Sequence, residues 1–192
     1  CFFTGATRIG KTSSAITVGL YMLYWLQCLR DPQRYFHKKD ISIFSVLFFN
    51  ITKEMAAGVA FREFNDTIKG SPWFNQHGTF SKSDRNFYYI PEGGKISIDY
   101  GSDASHGLGK QVFVGFMDEM NFAKAGIKDI NKAKKHMKDL YNTISARVKG
   151  TFRMNGEVYG KILAVSSKNS DNDFMETYRQ DQIQAGAGDH MY

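Results

Sequence analysis

Apolar and polar residues follow one another along this chain in blocks of strand and helix length. A short apolar start, Cys1-Phe2-Phe3, leads into a glycine-bearing polar stretch. From Lys11 to about Arg30 runs a helix-forming segment, ended near Asp31-Pro32, in which Ile16, Val18, Leu20, Met22, Trp25 and Leu26 lie all round the axis. Apolar positions on every side predict a core helix inside the fold. Ile41 to Phe49 is a β-rich run of the kind found in buried parallel strands. Thr52 is placed to cap a helix reaching about Lys69, with Met55, Val59 and Ile68 on one side.

The second half repeats the pattern. Phe87-Tyr88-Tyr89-Ile90 and Lys95 to Tyr100, separated by Pro91-Glu92-Gly93-Gly94, predict a β-hairpin inserted between the two halves of the sheet. A glycine-bearing loop, 101–109, precedes the apolar run Val112 to Met117, which has the character of a central parallel strand. Ile127, Ile130, Ala133, Met137, Leu140, Tyr141, Ile144 and Val148 then recur at intervals of three and four, the signature of a long amphipathic helix. Lys161 to Val165 predicts another short buried strand, and Asp173 to about Ala185 a last helix. This alternation predicts an α/β fold with a mainly parallel central sheet flanked by helices, and ligands at the carboxyl ends of its strands.

Composition adds limits. The 192 residues, 42% hydrophobic and 15% aromatic, suffice for one large core, and three prolines with no Ser/Gly-rich linker give no internal boundary, so residues 1–192 are expected to form one domain. Residue 1 already lies in the first strand and no initiating Met precedes it, so the sequence is expected to be a fragment. A net charge of +6, from 25 Lys and Arg against 19 Asp and Glu, suits a polyanionic partner without requiring one. Cys1 and Cys28 form no C-x-x-C pair and the five histidines are scattered, which points to a reduced, cytosolic setting and away from a His/Cys metal centre. The apolar run Ala15 to Leu29 is shorter than the roughly 20 residues a membrane span needs.

The polar stretch after the first strand, Gly5-Ala6-Thr7-Arg8-Ile9-Gly10-Lys11-Thr12, fits G-x-x-x-x-G-K-[ST] and is followed by Ser13. This is the phosphate-binding loop, or Walker A motif. Glycine permits close approach of backbone N–H groups to a polyphosphate, and Lys11 sets an ammonium near the β- and γ-phosphates. The Thr12 hydroxyl is a ligand for Mg²⁺, and the following helix turns its positive dipole end to the anion. Between a strand and a helix, the motif predicts a P-loop NTPase, expected to be of the RecA/ASCE-like type.

Val112 to Glu119 ends an apolar strand on two adjacent carboxylates, the Walker B arrangement. Asp118 is the metal residue and Glu119 the group that orients an attacking water; a helix-capping Asp-Glu pair is the structural alternative. A base for water argues against small-molecule kinases. The absence of N-K-x-D, since Asn131-Lys132-Ala133-Lys134 lacks the Asp, favours ATP over GTP. At a third strand end, Ser166-Ser167-Lys168-Asn169-Ser170 carries small polar groups suited to sensing the γ-phosphate, although a plain loop has the same composition. Arg8 and Arg147 are the candidate arginine fingers, each also compatible with a surface ion pair. Lys128, Lys132, Lys135, Lys138 and Lys149 lie largely opposite the apolar stripe of the long helix, forming either a solvated face or a track for a phosphate backbone.

In their order, these motifs resemble the ATPase domain of the large terminase subunit of tailed bacteriophages. The likeness covers Thr4 to Thr12, Ile43 to Phe74 with Ser71-Pro72-Trp73-Phe74, the hairpin leading to Gly101-Ser102, and Phe113 to Asn121. It continues through Ile144-Ser145-Ala146-Arg147, Ile162 to Ser167 and Asp173-Phe174-Met175-Glu176. The resemblance implies an ATP- and Mg²⁺-dependent motor that translocates double-stranded DNA, with Ser166, Ser167 and Asn169 as its coupling motif. It also implies a homo-oligomeric ring, portal/prohead and small terminase subunit as partners, and the cytoplasm of an infected bacterial host as location. Arg8 stands three places before Lys11 where many members carry an arginine four places before. Neither the upstream adenine-contacting segment nor the downstream nuclease domain of that family is expected here, so DNA cleavage is not. A helicase-like ATPase and a slow nucleotide switch are the alternatives.

Overall fold

A computed structural model describes residues 1–6, 8–29, 31–83, 86–90, 95–121, 130–167 and 174–184. Thr7, residues 91–94, Ile127, Lys128 and 168–173, with Lys168 and Asn169, lie outside the described residues, as do the side chains of Ile130, Lys132 and Ala133.

In chain order the elements are β1 (Phe2–Gly5), α1 (Lys11–Cys28), α2 (Pro32–Tyr35), β2 (Ile43–Phe49), α3 (Lys53–Ala56), α4 (Val59–Gly70), α5 (Pro72–His77), β3 (Thr79–Ser83), β4 (Asn86–Ile90) and β5 (Lys95–Gly101). After a 3₁₀ turn at Ala104–Gly107 come β6 (Gln111–Asp118), α6 (Ile130–Thr151), β7 (Arg153–Met154), β8 (Glu157–Val158), β9 (Lys161–Ser167) and α7 (Phe174–Gln184). One seven-stranded sheet has the order β1-β9-β6-β2-β5-β4-β3, and β7 and β8 pair separately. The first five strands in this order are parallel to their neighbours, whereas β4 and β3 are antiparallel. The mainly parallel α/β architecture is therefore the one expected.

The hairpin is present, with Phe87 opposite Ile98 and Tyr89 opposite Ile96, but it does not separate two halves of the sheet. Its second strand, β5, pairs in parallel with β2, and β4 and β3 extend one edge outward. Period-2 alternation divides the core between the two faces. On one face, Phe44, Val46 and Phe48 of β2 pack with Ile16, Leu23 and Leu26 of α1 and with Phe64 and Ile68 of α4. On the other, Leu47 and Phe49 meet Met137, Leu140, Ile144 and Val148, the stripe predicted for α6. A register shift between Ser45 and Val46 makes two residues of β6 face one step of β2, and Phe113 and Val114 accordingly join the same cluster.

Two helices differ from expectation. α1 is not buried all round: it lies across the sheet with Tyr21 63% exposed and Tyr24 also outward, because helices cover only part of its circumference. The amphipathic signal is blurred because its outer face carries aromatic rings. The helix expected from Thr52 to Lys69 is two helices. Thr52 Oγ1 does accept from the Met55 N–H at 3.2 Å, but α3 ends after one turn and α4 restarts at Gly58. The buried stripe of α4 is Ala60, Phe61, Phe64 and Ile68; Val59, 73% exposed, and Met55 face outward.

Where α1 crosses β6 the contact requires glycine. A Cβ at Gly19 would lie 2.2 Å from Phe116 Cζ, and Phe116 is itself stacked on Phe48 at 4.3 Å between ring centres. The helix behind the phosphate loop thus sits directly on the strand that carries Asp118. Gly19→Val is expected to destabilise the protein by about 2 kcal/mol through overpacking. This would lower Tm by roughly 4–8 °C for a chain of this size. An unchanged melting midpoint would show that Phe116 can yield.

Candidate functional site

The three motif-bearing strand ends are neighbours. β9 lies between β1 and β6, pairing Gly5 with Ser167 and Asp118 with Val165. Parallel strands in this order bring the carboxyl termini of all three to one edge of the sheet. There, Arg8, Gly10, Lys11, Thr12 and Ser13 face Asp118, Glu119, Ser166 and Ser167 across a cleft of about 280 Å³.

The loop's shape follows from its residues. Gly10, at φ 81°, is left-handed, and α1 starts behind it with no side-chain cap and no acidic residue in its first turn. Its first N–H groups are thereby left for an anion. Lys11 turns back over the loop: Nζ donates to the carbonyl oxygens of Gly5 (3.3 Å) and Ala6, and to Ser167 Oγ at 3.4 Å. Arg8, in the left-handed region at φ 63°, and Ile9 are exposed at the tip.

On the facing wall, Asp118 is held by two donors. The Glu119 N–H reaches Oδ1 at 3.1 Å, and Asn50 Nδ2, from the carboxyl end of β2, reaches Oδ2 at 3.4 Å. Burial, with the Glu119 carboxylate beside it, pushes the Asp118 carboxyl up to about 6, against the smaller opposing pull of the Glu119 N–H and Lys11. Glu119 itself has φ 57°, a left-handed backbone that is uncommon outside glycine and is found where structure over-determines a functional side chain. Its Oε2 is buried, with no hydrogen-bond partner among the described residues. A buried carboxylate with a raised pKa beside an orphaned carboxylate oxygen is a donor set that a hard divalent cation would satisfy. Asp118 and Thr12 are the residues that could hold Mg²⁺, and Glu119 the acceptor for a water.

Ser166 is buried, 1% exposed, and its Oγ accepts from the Asn121 N–H at 3.1 Å. Of the expected site residues, Gly5, Ala6 and Ile9 form the loop, and Arg8, Gly10, Lys11, Thr12, Ser13, Asp118, Glu119, Ser166 and Ser167 line the cleft. Arg147 is not brought to it. Its exposed position on α6 lies between Ile144 and Val148, and Val148 packs beside Gly160, which also meets the Phe113 carbonyl near the amino ends of β6 and β9. Within one chain Arg147 is thus on the far side of the sheet edge. Asn50 and Asn121 escaped the sequence reading. The available signal was position: each is a polar residue just past a buried strand.

A cleft of this composition at the ends of parallel strands defines a P-loop domain. The chain belongs to the family described as "Uncharacterized protein MJ0330, N-terminal P-loop domain", whose model matches residues 9–187. Among solved structures, the HK97 bacteriophage large terminase superposes with a TM-score of 0.56 at 12% identity, covering 97% of this chain and 33% of the terminase. The large terminase from a thermophilic bacteriophage gives 0.54 at 10% identity, covering 100% and 42%. The chain therefore spans well under half the length of either terminase, and at these identities the likeness is one of fold. No curated protein sequence matches the chain. Among the described residues, no helix is long and apolar enough to cross a membrane.

Proposed function

We propose that this domain is a Mg²⁺-dependent ATPase whose turnover drives double-stranded DNA, as the motor of a phage large terminase. The observation that carries the reading is the convergence of Lys11, Asp118 and Glu119 on one cleft, with Ser167 bonded to Lys11. The fold shared with two phage terminases supports the motor assignment over other P-loop chemistry.

In this reading the loop N–H groups and Lys11 take the phosphate oxygens of ATP, in a cradle that is charge-complementary and already formed. Thr12 and Asp118 would hold Mg²⁺, which would neutralise charge on the phosphates. Glu119 accepts a hydrogen bond from the attacking water and turns its lone pair toward the γ-phosphorus. Ser166, Ser167 and, beyond the described residues, Asn169 register the γ-phosphate and its loss. Arg8 reaches the same phosphates in cis, whereas Arg147 acts as a finger only toward a neighbouring subunit in a homo-oligomeric ring. Portal/prohead and small terminase subunit are the further partners, and the infected bacterial cytoplasm is the setting.

The test is steady-state ATP hydrolysis with and without duplex DNA, paired with DNA affinity measured across salt. Lys135, Lys138 and Lys149 are exposed on α6, with Lys138 4.0 Å from Asp181. If they track the phosphate backbone, Lys135→Gln combined with Lys149→Gln flattens the slope of log affinity against log salt by about 1.8. An unchanged slope removes α6 as the track. ATP turnover indifferent to DNA removes the motor while leaving the ATPase.

A further inference from the structure

Asn121 sits three residues beyond Asp118, where the chain leaves the sheet, and it uses its backbone and both ends of its side chain. Its N–H donates to Ser166 Oγ at 3.1 Å, and its Nδ2 donates to the Ser167 carbonyl at 3.0 Å. Its Oδ1 accepts the N–H of Met175, 54 residues away in sequence, at 3.0 Å. Met175 is the second residue of α7, so its N–H is among those that a helix leaves without an intrahelical partner. Asn121 therefore caps α7 from another part of the chain while gripping the end of β9.

The same strand end touches the phosphate loop through the bond from Lys11 Nζ to Ser167 Oγ. A continuous set of polar contacts thus runs from Lys11 to Ser167, through the Asn121 amide, to the first turn of α7. The helix is also tied down apolarly: Phe174 and Met175 are buried, and Tyr178 packs against Tyr141 at 4.7 Å and Phe2 at 5.5 Å. Phe2 lies in β1, so α7 rests on the strand that feeds the phosphate loop and on the helix that follows β6. An amide is suited to a joint of this kind, because one planar group donates on one side and accepts on the other, fixing their relative orientation.

We propose that Asn121 is a positioning residue that transmits occupancy of the phosphate cleft to α7: phosphates that draw Lys11 away from Ser167 shift the β9 end, and the Asn121 side chain passes this shift to the helix. The inference rests on the nucleotide reading of the cleft. It identifies α7 as the responding element and Asn121 as the link, outside the loop and the carboxylate pair.

Two variants separate linkage from simple capping. Asn121→Ala loses both side-chain contacts, whereas Asn121→Asp keeps the acceptor for Met175 and loses the donor to Ser167. Nucleotide affinity is measured with a non-hydrolysable ATP analogue and Mg²⁺, and amide hydrogen exchange of α7 is followed with and without that analogue. In the unmodified protein the analogue is expected to change α7 exchange several-fold. In Asn121→Ala the α7 amides exchange about fivefold faster, the loss of one cap, and the response to analogue disappears while affinity stays within about threefold. Asn121→Asp restores the basal protection but not the response. An Asn121→Asp variant that still responds would reduce the residue to a cap and overturn the proposal. Analogue binding with an unresponsive α7 in the unmodified protein would overturn the coupling alone. Failure of that protein to bind the analogue at all would overturn the reading of the cleft and the coupling with it.

Discussion

Glu119→Gln is expected to bind ATP with nearly unchanged affinity and to hydrolyse it at least about 10²-fold more slowly, the range general-base groups contribute. Lys11→Ala is expected to fail earlier, at binding. The contrast follows from what each side chain touches. Lys11 Nζ already makes three hydrogen bonds, two to loop carbonyls and one to Ser167 Oγ at the end of β9, and a phosphate oxygen would take the same charged donor. Loss of a charge-assisted bond of about 1.5–3 kcal/mol weakens affinity roughly 10- to 150-fold. Glu119 differs: its buried Oε2 has no partner among the described residues, and a glutamine there keeps size and polarity but loses the basicity a proton acceptor needs. Equilibrium binding of a fluorescent ATP analogue and single-turnover hydrolysis separate the two effects. Undiminished steady-state turnover in Glu119→Gln would remove Glu119 as the base.

Asp118→Asn is expected to stop turnover and at the same time to stabilise the nucleotide- and metal-free protein. Burial and the neighbouring Glu119 raise the Asp118 carboxyl from an ordinary 3.8 to about 6. The folded state therefore holds this proton more tightly than the unfolded state does. Between about pH 4 and pH 6 folding retains a proton that unfolding releases, so stability falls as pH rises through this window. At pH 8 the ionised group destabilises the fold by up to about 3 kcal/mol. Replacing it with a neutral amide removes that cost. Part of the gain is lost because an amide nitrogen facing Asn50 Nδ2 sets donor against donor. A net rise in Tm of roughly 3–6 °C at pH 8 is expected, shrinking toward pH 4. Melting curves of both proteins at the two pH values, without nucleotide or divalent metal, check this. A stability difference independent of pH would mean that the Asp118 carboxyl is not held above its ordinary range. In the same variant, loss of the proposed carboxylate ligand is expected to weaken Mg²⁺-dependent ATP binding, so that stability and the proposed function move in opposite directions.

Much of the site was legible because its chemistry is tied to local spacing. Gly5 to Thr12 requires one short stretch of backbone, and Asp118 with Glu119 directly terminates a run of buried apolar residues. Strand ends are where such groups must lie, so finding the strands located the cleft. Asn50 and Asn121 were not legible for the opposite reason. Each works through partners 68 and 54 residues away in sequence, and an isolated asparagine after a strand is equally a turn residue. Helices failed where one residue type serves two purposes. Val18, Leu20, Met22 and Trp25 pack against the core while only half-buried, so α1 counted as buried on all sides. Met55 and Val59 matched a helical period but flank the interruption at Gly58, which shifts the buried face to Phe61 and Phe64. The two antiparallel strands at the edge were partly foreseen. Their place in the sheet was not, because hairpin signals specify a partner and say nothing of which side of the sheet receives the pair.

The strand order has a mechanical consequence. Asp118 belongs to the third strand of seven, and four further strands, β2, β5, β4 and β3, continue from it to one edge, each hydrogen-bonded to the next. At about 4.8 Å per step this wing extends roughly 19 Å, so a tilt of about 5° at β6 would sweep its outer rim through ~2 Å. Anchored at the strand that carries Asp118, the wing has the geometry of a lever arm, whose outer rim would move farther than the strand at its base.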